Sequence, residues 1–195
     1  MKKIGLYGGT FDPIHCAHLI LARDAAEQLL LDEVIFVPAA VSPHKLDEAQ
    51  TPAAIRLEML QAALAGERRF TVHEAELHRP PPSYTIDTVE QFRRAHPDDQ
   101  VFYLVGSDHL PRLHTWHRFS DLQELVQFVV LERGNAHPHP GEYRTIQRQI
   151  GISATEIRNR VASGQSIRYL VPEAVAAIIE RHQLYQEPNR SPQKN

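Results

Sequence analysis

Residues 3–22 read KIGLYGGTFDPIHCAHLILA. An apolar run stops at Gly8 and Gly9, a short polar loop follows, and helical periodicity begins near His18, with Leu19, Ala22, Ala26 and Leu29 on one stripe. Glycines at a strand end let backbone approach a ligand closely. A helix N-terminus offers unpaired N–H groups and a partial positive charge, which suit phosphate. His15 and His18 are three apart, so at a helix start they point to one side. There they make a cationic site whose donors can follow charge as it develops on oxygen. The same spacing also fits a tight strand–helix turn with two surface histidines. A metal pair is disfavoured, since no third ligand is evident nearby.

Outward from this stretch, strands and helices alternate. EVIFVPA (33–39), VFYLVGSD (101–108) and QFVVLER (127–133) read as strands that are apolar on both faces. TPAAIRLEMLQAALAG (51–66) reads as a helix with Thr51 as N-cap, Pro52 at the first helical position and Gly66 as its stop. YTIDTVEQFRRAH (84–96), SDLQELV (120–126), SATEIRNRVASG (153–164) and PEAVAAIIERHQLY (172–185) read as further helices. The pattern predicts an α/β fold, a parallel sheet covered by helices on each side with a small C-terminal helical part. Ligands in such folds bind outside the carboxyl ends of the strands, where GGTFDP and GSD both lie. One domain is expected over residues 1–186, followed by a flexible polar tail, EPNRSPQKN, at 187–195.

Bulk properties narrow the function classes. The 195 residues suffice for one sizeable core, and 42% hydrophobic with 23% charged residues is an ordinary globular mix. A formal net charge of −3 argues against a duplex nucleic-acid binder. The N-terminal apolar run is too short for a signal peptide or a membrane span. The single cysteine, Cys16, excludes an intrachain disulfide and fits a reducing compartment, so a cytoplasmic location is expected. HPHP (137–140), in a segment from 134 to 151 without clear pattern, reads as an ordinary loop rather than a zinc site.

A second phosphate site of the same physical type lies near the C-terminus. In ISATEIRNR (152–160), Ser153 and Glu156 form a capping box. Ser153, Thr155 and the first-turn N–H groups could hold phosphate oxygens, with Arg158 one turn further in. A well-capped surface helix is the plainer reading.

GGTFDPIHCAHL resembles the H-x-x-H signature of the nucleotidyltransferase superfamily of adenylyl- and cytidylyltransferases, and ISATEIR resembles the I-S-x-T-x-I-R signature that closes the same active site. Ala17 stands where the usual motif has glycine. SPHK (42–45), SYTIDTV (83–89), GSD with HTW (106–108, 114–116) and the C-terminal YLVPEAVAAIIERHQLY (169–185) are similar to the bacterial nicotinate-nucleotide adenylyltransferases. That likeness covers nearly the whole chain. Gly134-Asn135 stands where this family often has Pro-Gly.

The resemblance implies a Rossmann-like doubly wound sheet and adenylyl transfer from ATP to nicotinate mononucleotide. It implies that His15, His18 and Arg158 serve the ATP phosphates. Gly8, Gly9, Thr10, Phe11, Gly106, Asp108, Ser153 and Thr155 complete the ATP site, Asp108 by accepting from ribose hydroxyls. His44 and Lys45 would hold the mononucleotide phosphate, Thr85 and the Trp116–His117 segment would offer backbone N–H to the nicotinate carboxylate, and Trp116 would stack on the pyridine ring. Mg²⁺ is expected to be carried by the ATP phosphates, with no protein metal site. The superfamily uses no covalent intermediate, so Cys16 is expected only to pack. Nucleic acid and membrane are not expected partners, and either a monomer or a homodimer is compatible. Three rivals remain at this point: an enzyme using nicotinamide mononucleotide instead, a non-catalytic nucleotide-binding or regulatory protein, and, disfavoured by the acidic balance, an RNA-binding module.

Overall fold

The computed structural model describes residues 1–41, 50–80, 82–134 and 142–186. Six strands, β1 (Lys3–Gly9), β2 (Glu33–Pro38), β3 (Phe70–Val72), β4 (Gln100–Gly106), β5 (Gln127–Arg133) and β6 (Arg144–Arg148), form one sheet in the order β3-β2-β1-β4-β5-β6. Every pairing is parallel. β1 is followed in sequence by β2 on one side, while β4 pairs on its other side. The strand order therefore reverses at β1, and a crevice opens there at the carboxyl ends.

The helices are α1 (Cys16–Leu29), α2 (Ala53–Leu64), α3 (Thr85–Ala95), α4 (Phe119–Leu125), α5 (Ala154–Ala162) and α6 (Glu173–Arg181), with a 3₁₀ segment at Ser107–Thr115. Side-chain alternation along the strands makes two cores. Tyr7, Phe36, Phe102 and Leu104 pack with α1, α2, α5 and α6. Ile4, Leu6, Val101, Tyr103 and Val105 pack with α3, α4 and Leu113. Because both faces of β1 and β4 are covered, their residues are apolar without interruption.

Three readings of the sequence need correction. Thr51 is not the cap of α2; Pro52 is, and its carbonyl accepts from the N–H groups of Ile55 and Arg56. Thr51 is drawn away because its N–H donates to Asp12 Oδ2 at 3.1 Å. β3 was not legible, since three residues are too few to show alternation. Within the segment 134–151, residues 144–148 form β6, an edge strand on which Ile146 alone is buried, so no apolar pattern announced it. HPHP lies outside the described residues, as does the tail 187–195.

Candidate active site

The carboxyl ends of β1, β4 and β5 border a cleft of about 550 Å³. GGTFDPIHCAHL, SYTIDTV, GSD with HTW, and ISATEIR all contribute to its wall, whereas the C-terminal stretch 169–185 does not line it. Gly8 has no side chain for a reason internal to the protein: a Cβ there would fall on the Tyr103 hydroxyl, reaching across from β4. The space at Gly9 is likewise filled by the Phe11 ring. These two glycines admit aromatic neighbours of the cleft, and not only a ligand.

The two histidines lie where α1 begins. His15 is its N-cap, with extended backbone, and His18 is the third helical residue. Their rings stack at 3.6 Å between centroids, 19° from parallel. The His15 N–H donates to His18 Nδ1 at 3.3 Å. With Nδ1 accepting, neutral His18 carries its proton on Nε2 and offers it outward. Burial, and after it the nearby Arg133 guanidinium, together push His15 down to about 3. Burial and then the His15 neighbour hold His18 well below its ordinary value. The pair is thus neutral at pH 7 and donates as uncharged imidazole. The expectation of a cationic histidine pair is overturned by burial, which disfavours the charged form. The α1 N-terminus is also less open than its sequence suggests, since the Cys16 N–H donates to Leu170 O at 2.9 Å. His15 Nδ1 is buried without a hydrogen-bond partner among the described residues. Cys16 is half-buried and its thiol is pushed up by burial.

Positive charge comes instead from two arginines. Arg158 Nη1 donates to Asp12 O at 2.8 Å and Nη2 to Thr155 Oγ1 at 3.2 Å, so its planar group is aimed from two sides. Ser153 caps α5, accepting from the Glu156 N–H at 3.1 Å, as the sequence box predicts. Arg133, at the end of β5, donates to Ile152 O at 3.3 Å and lies 3.8 Å from Asp108 Oδ1. Sequence reasoning missed Arg133 as a site residue. Its signal was present, namely a guanidinium at the carboxyl end of an apolar strand in a doubly wound sheet. Asp108 is largely exposed at the start of the 3₁₀ segment, with its carboxylate over Gly106.

The far wall is formed by the start of α3 and by residues 115–117. Tyr84 caps α3 without a side-chain hydrogen bond, so no side chain competes for the first-turn N–H groups at Thr85. Thr85 Oγ1 is 3.4 Å from the Tyr103 hydroxyl. Trp116 is half-buried, meets Tyr103 edge-on at 5.9 Å and lines the cleft, so packing and site roles coincide. His117 is exposed and leans on Tyr84 at 4.6 Å. Glu76 was also missed. Burial pushes its carboxyl up to about 7, against the lowering effects of the Thr88 hydroxyl, Arg79 and Ser83. Thr88 Oγ1 donates to it at 2.8 Å. No local motif distinguishes this glutamate; only the fold buries it. His44 and Lys45 lie outside the described residues.

Among the described residues, no group of three or more His, Cys, Asp or Glu side chains could hold a metal ion. No helix there is long and apolar enough to cross a membrane.

Residues 6–160 match the cytidylyltransferase-like family, a span that takes in both histidines and Arg158. A relative from Geobacillus thermodenitrificans (strain NG80-2), named "Probable nicotinate-nucleotide adenylyltransferase", is 44% identical over 187 residues, 95% of this chain and 87% of that protein. The chain belongs to the nicotinate-nucleotide adenylyltransferases. A second nicotinate-nucleotide adenylyltransferase, a Thermus thermophilus protein with the same printed name, is also 44% identical, over 94% of this chain and 99% of its own length. The fold is that of the Plasmodium falciparum nicotinic acid mononucleotide adenylyltransferase complexed with NaAD. The two superpose with a TM-score of 0.81 at 20% identity, over 95% of this chain and 98% of that one.

Proposed function

We infer that this nicotinate-nucleotide adenylyltransferase joins the 5′-phosphate of nicotinate mononucleotide to the α-phosphorus of ATP, releasing pyrophosphate and forming nicotinate adenine dinucleotide. One observation carries the reading at the level of the site. A single cleft has phosphate-type donors at one end (His15, His18, Arg158, Ser153, Thr155) and, at the other, a helix start beside Trp116 whose cap residue Tyr84 makes no side-chain hydrogen bond. The first end suits a triphosphate, the second an aromatic ring bearing a carboxylate.

The nucleophile is a phosphate monoester with its second pKa near ~6, so it is already mostly dianionic at neutral pH. A general base is not needed, and catalysis reduces to positioning and charge stabilisation. In this reading His18 Nε2–H and the Arg158 guanidinium hold the ATP phosphates, with His15 fixing the His18 ring by stacking. Gly8, Gly9, Thr10 and Phe11 shape the phosphate loop. Arg133 adds charge, and Asp108 beside Gly106 receives ribose hydroxyls. Ser153 and Thr155 close over the triphosphate. His44 and Lys45 are assigned the mononucleotide phosphate from sequence alone. Mg²⁺ enters as the ATP complex, held by phosphate oxygens and water. The hydroxyl, imidazole and guanidinium lining fits that arrangement, since it offers donors to phosphate and not a carboxylate cage. Residues 1–186 form the working unit, and the cytoplasm, with its ATP and reduced thiols, is its setting.

Pyrophosphate release with Mg²⁺, ATP and each mononucleotide tests the reading. Backbone N–H donors satisfy a carboxylate, whereas an amide NH₂ leaves a buried donor unpaired at roughly 1–3 kcal/mol and forfeits a charge-assisted bond. A preference for the acid of at least ~10²-fold in kcat/KM is expected. Equal values, or preference for the amide, overturn the acceptor assignment. ATP binding without any pyrophosphate release overturns the enzyme.

A further inference from the structure

Arg56, on α2, is 1% exposed. It is not among the residues that line the cleft. Its Nε donates to Thr51 O at 2.9 Å, Nη1 to Thr10 O at 2.7 Å and to Ala39 O at 2.8 Å, and Nη2 to Ala40 O at 2.9 Å. These carbonyls belong to three separate segments: the loop after β1, the exit of β2 and the approach to α2. Both ends of the cleft are linked onward from them. The Ala40 N–H donates to Ser83 Oγ at 3.2 Å, and the Ser83 N–H to Val41 O at 3.1 Å. Ser83 immediately precedes Tyr84 and Thr85, where α3 starts. On the other side, Thr10 precedes Phe11 and Asp12, whose carbonyl receives Arg158.

We propose that Arg56 is a positioning residue for adenylyl transfer, holding the triphosphate loop and the start of α3 in register through residues 39–41. This rests on the transfer reading above. A buried guanidinium bonded to neutral carbonyls is a poor device for stability, since well-packed apolar residues of similar volume often do as well or better. What the guanidinium supplies is a rigid planar fork joining four carbonyls. A lysine, a point charge on a flexible stem, cannot reproduce it. In-line attack needs both substrates placed together, and a misplacement of about 1 Å arising far from the chemistry can cost about 10²-fold.

The test compares R56K, R56M and R56A with wild type. Folding is checked by near-ultraviolet circular dichroism, steady-state pyrophosphate release gives kcat and both KM values, and calorimetry measures ATP and nicotinate mononucleotide binding separately. Folded R56M and R56K are expected to bind both substrates more weakly and to lose about 10²-fold in kcat/KM. Guanidinium ion, added to R56A far below denaturing concentration, is expected to recover part of that loss. Folded variants with unchanged KM and affinities, altered only in melting temperature, overturn the proposal. Should none of the Arg56 variants fold, S83A cuts the same path at its far end. A raised mononucleotide KM with unchanged ATP KM supports the register, and an unchanged mononucleotide KM overturns it. A wild type that binds both substrates but releases no pyrophosphate fails the transfer reading instead, and the calorimetric comparison still decides the role of Arg56.

Discussion

Replacing His18 with alanine removes two separable things. The first is the Nε2–H donor, whose direction is set by Nδ1 accepting from the His15 N–H at 3.3 Å. One such donor at a site of developing charge is worth about 10²–10³ in kcat. The second is that Nδ1 acceptor itself at the start of α1, together with the stack on His15. Losing a helix-cap partner costs about 1 kcal/mol. H18A is therefore expected to fold, to melt somewhat lower, and to lose about 10²–10³ in kcat. H18Q, which restores an N–H donor near the Nε2 position, is expected to recover part of the rate. The neutral state of the pair adds a pH signature. With His15 at about 3, its imidazolium fraction at pH 7 is on the order of 10⁻⁴. Both histidines have folded values below the unfolded 6.5. The unfolded chain then binds more protons below pH 6.5, so these groups make stability fall with acidification through that window. Turnover carried by neutral imidazole stays nearly flat between pH 7 and 8, where the phosphate nucleophile is already mostly dianionic. Turnover carried by imidazolium would instead rise about tenfold per unit as pH falls. Steady-state pyrophosphate release across that range, on protein verified as folded, decides the matter. A folded H18A with near-normal kcat, or a wild-type kcat climbing toward acid, would refute the reasoning.

R158K keeps the charge but loses the planar fork set by Asp12 O and Thr155 Oγ1. The ATP KM should rise or kcat fall with little change for the mononucleotide; a shift confined to the mononucleotide KM would put Arg158 in the wrong half of the cleft. G8A drives a methyl onto the Tyr103 hydroxyl and should cost about 1–3 kcal/mol in a chemical melt, with partial recovery in G8A/Y103F. A G8A melt equal to wild type contradicts the close approach. The Glu76 carboxyl, raised from 4.5 to about 7 by burial, keeps its proton in the folded state while the unfolded chain releases it. Its contribution to stability should therefore drop as pH rises from 4.5 to 7, by up to ~3 kcal/mol, opposite in sign to that of the two histidines. E76Q should flatten that drop, and parallel pH–melting curves for the two proteins would show that Glu76 is not the cause.

Much of this protein could be read along the chain. The strands β1, β2, β4 and β5 announce themselves as unbroken apolar runs, α5 carries its own cap in Ser153, and the H-x-x-H and I-S-x-T-x-I-R stretches point to phosphate chemistry by residue type and spacing. Such signals are local, because periodicity, caps and strand-end glycines depend on neighbours within one or two turns. Thr85 and Trp116 were placed at the acceptor end by family likeness, and the fold brings both to one cleft wall. Other features had no local trace. β6 is an edge strand defined by pairing with β5, and its lone buried residue, Ile146, makes no pattern. The neutral state of His15 and His18 arises from burial beside Arg133, which is distant in sequence, and no spacing reveals a desolvation cost. Glu76 is an ordinary glutamate until α3 covers it. Arg56 sits in an ordinary helical pattern, yet its four carbonyl partners come from three segments that meet only when the sheet closes around β1. Residue type and short spacing determined which groups could handle phosphate. Which of them are charged, and what holds them in place, depends on burial and long-range contact, and those exist only in the folded chain.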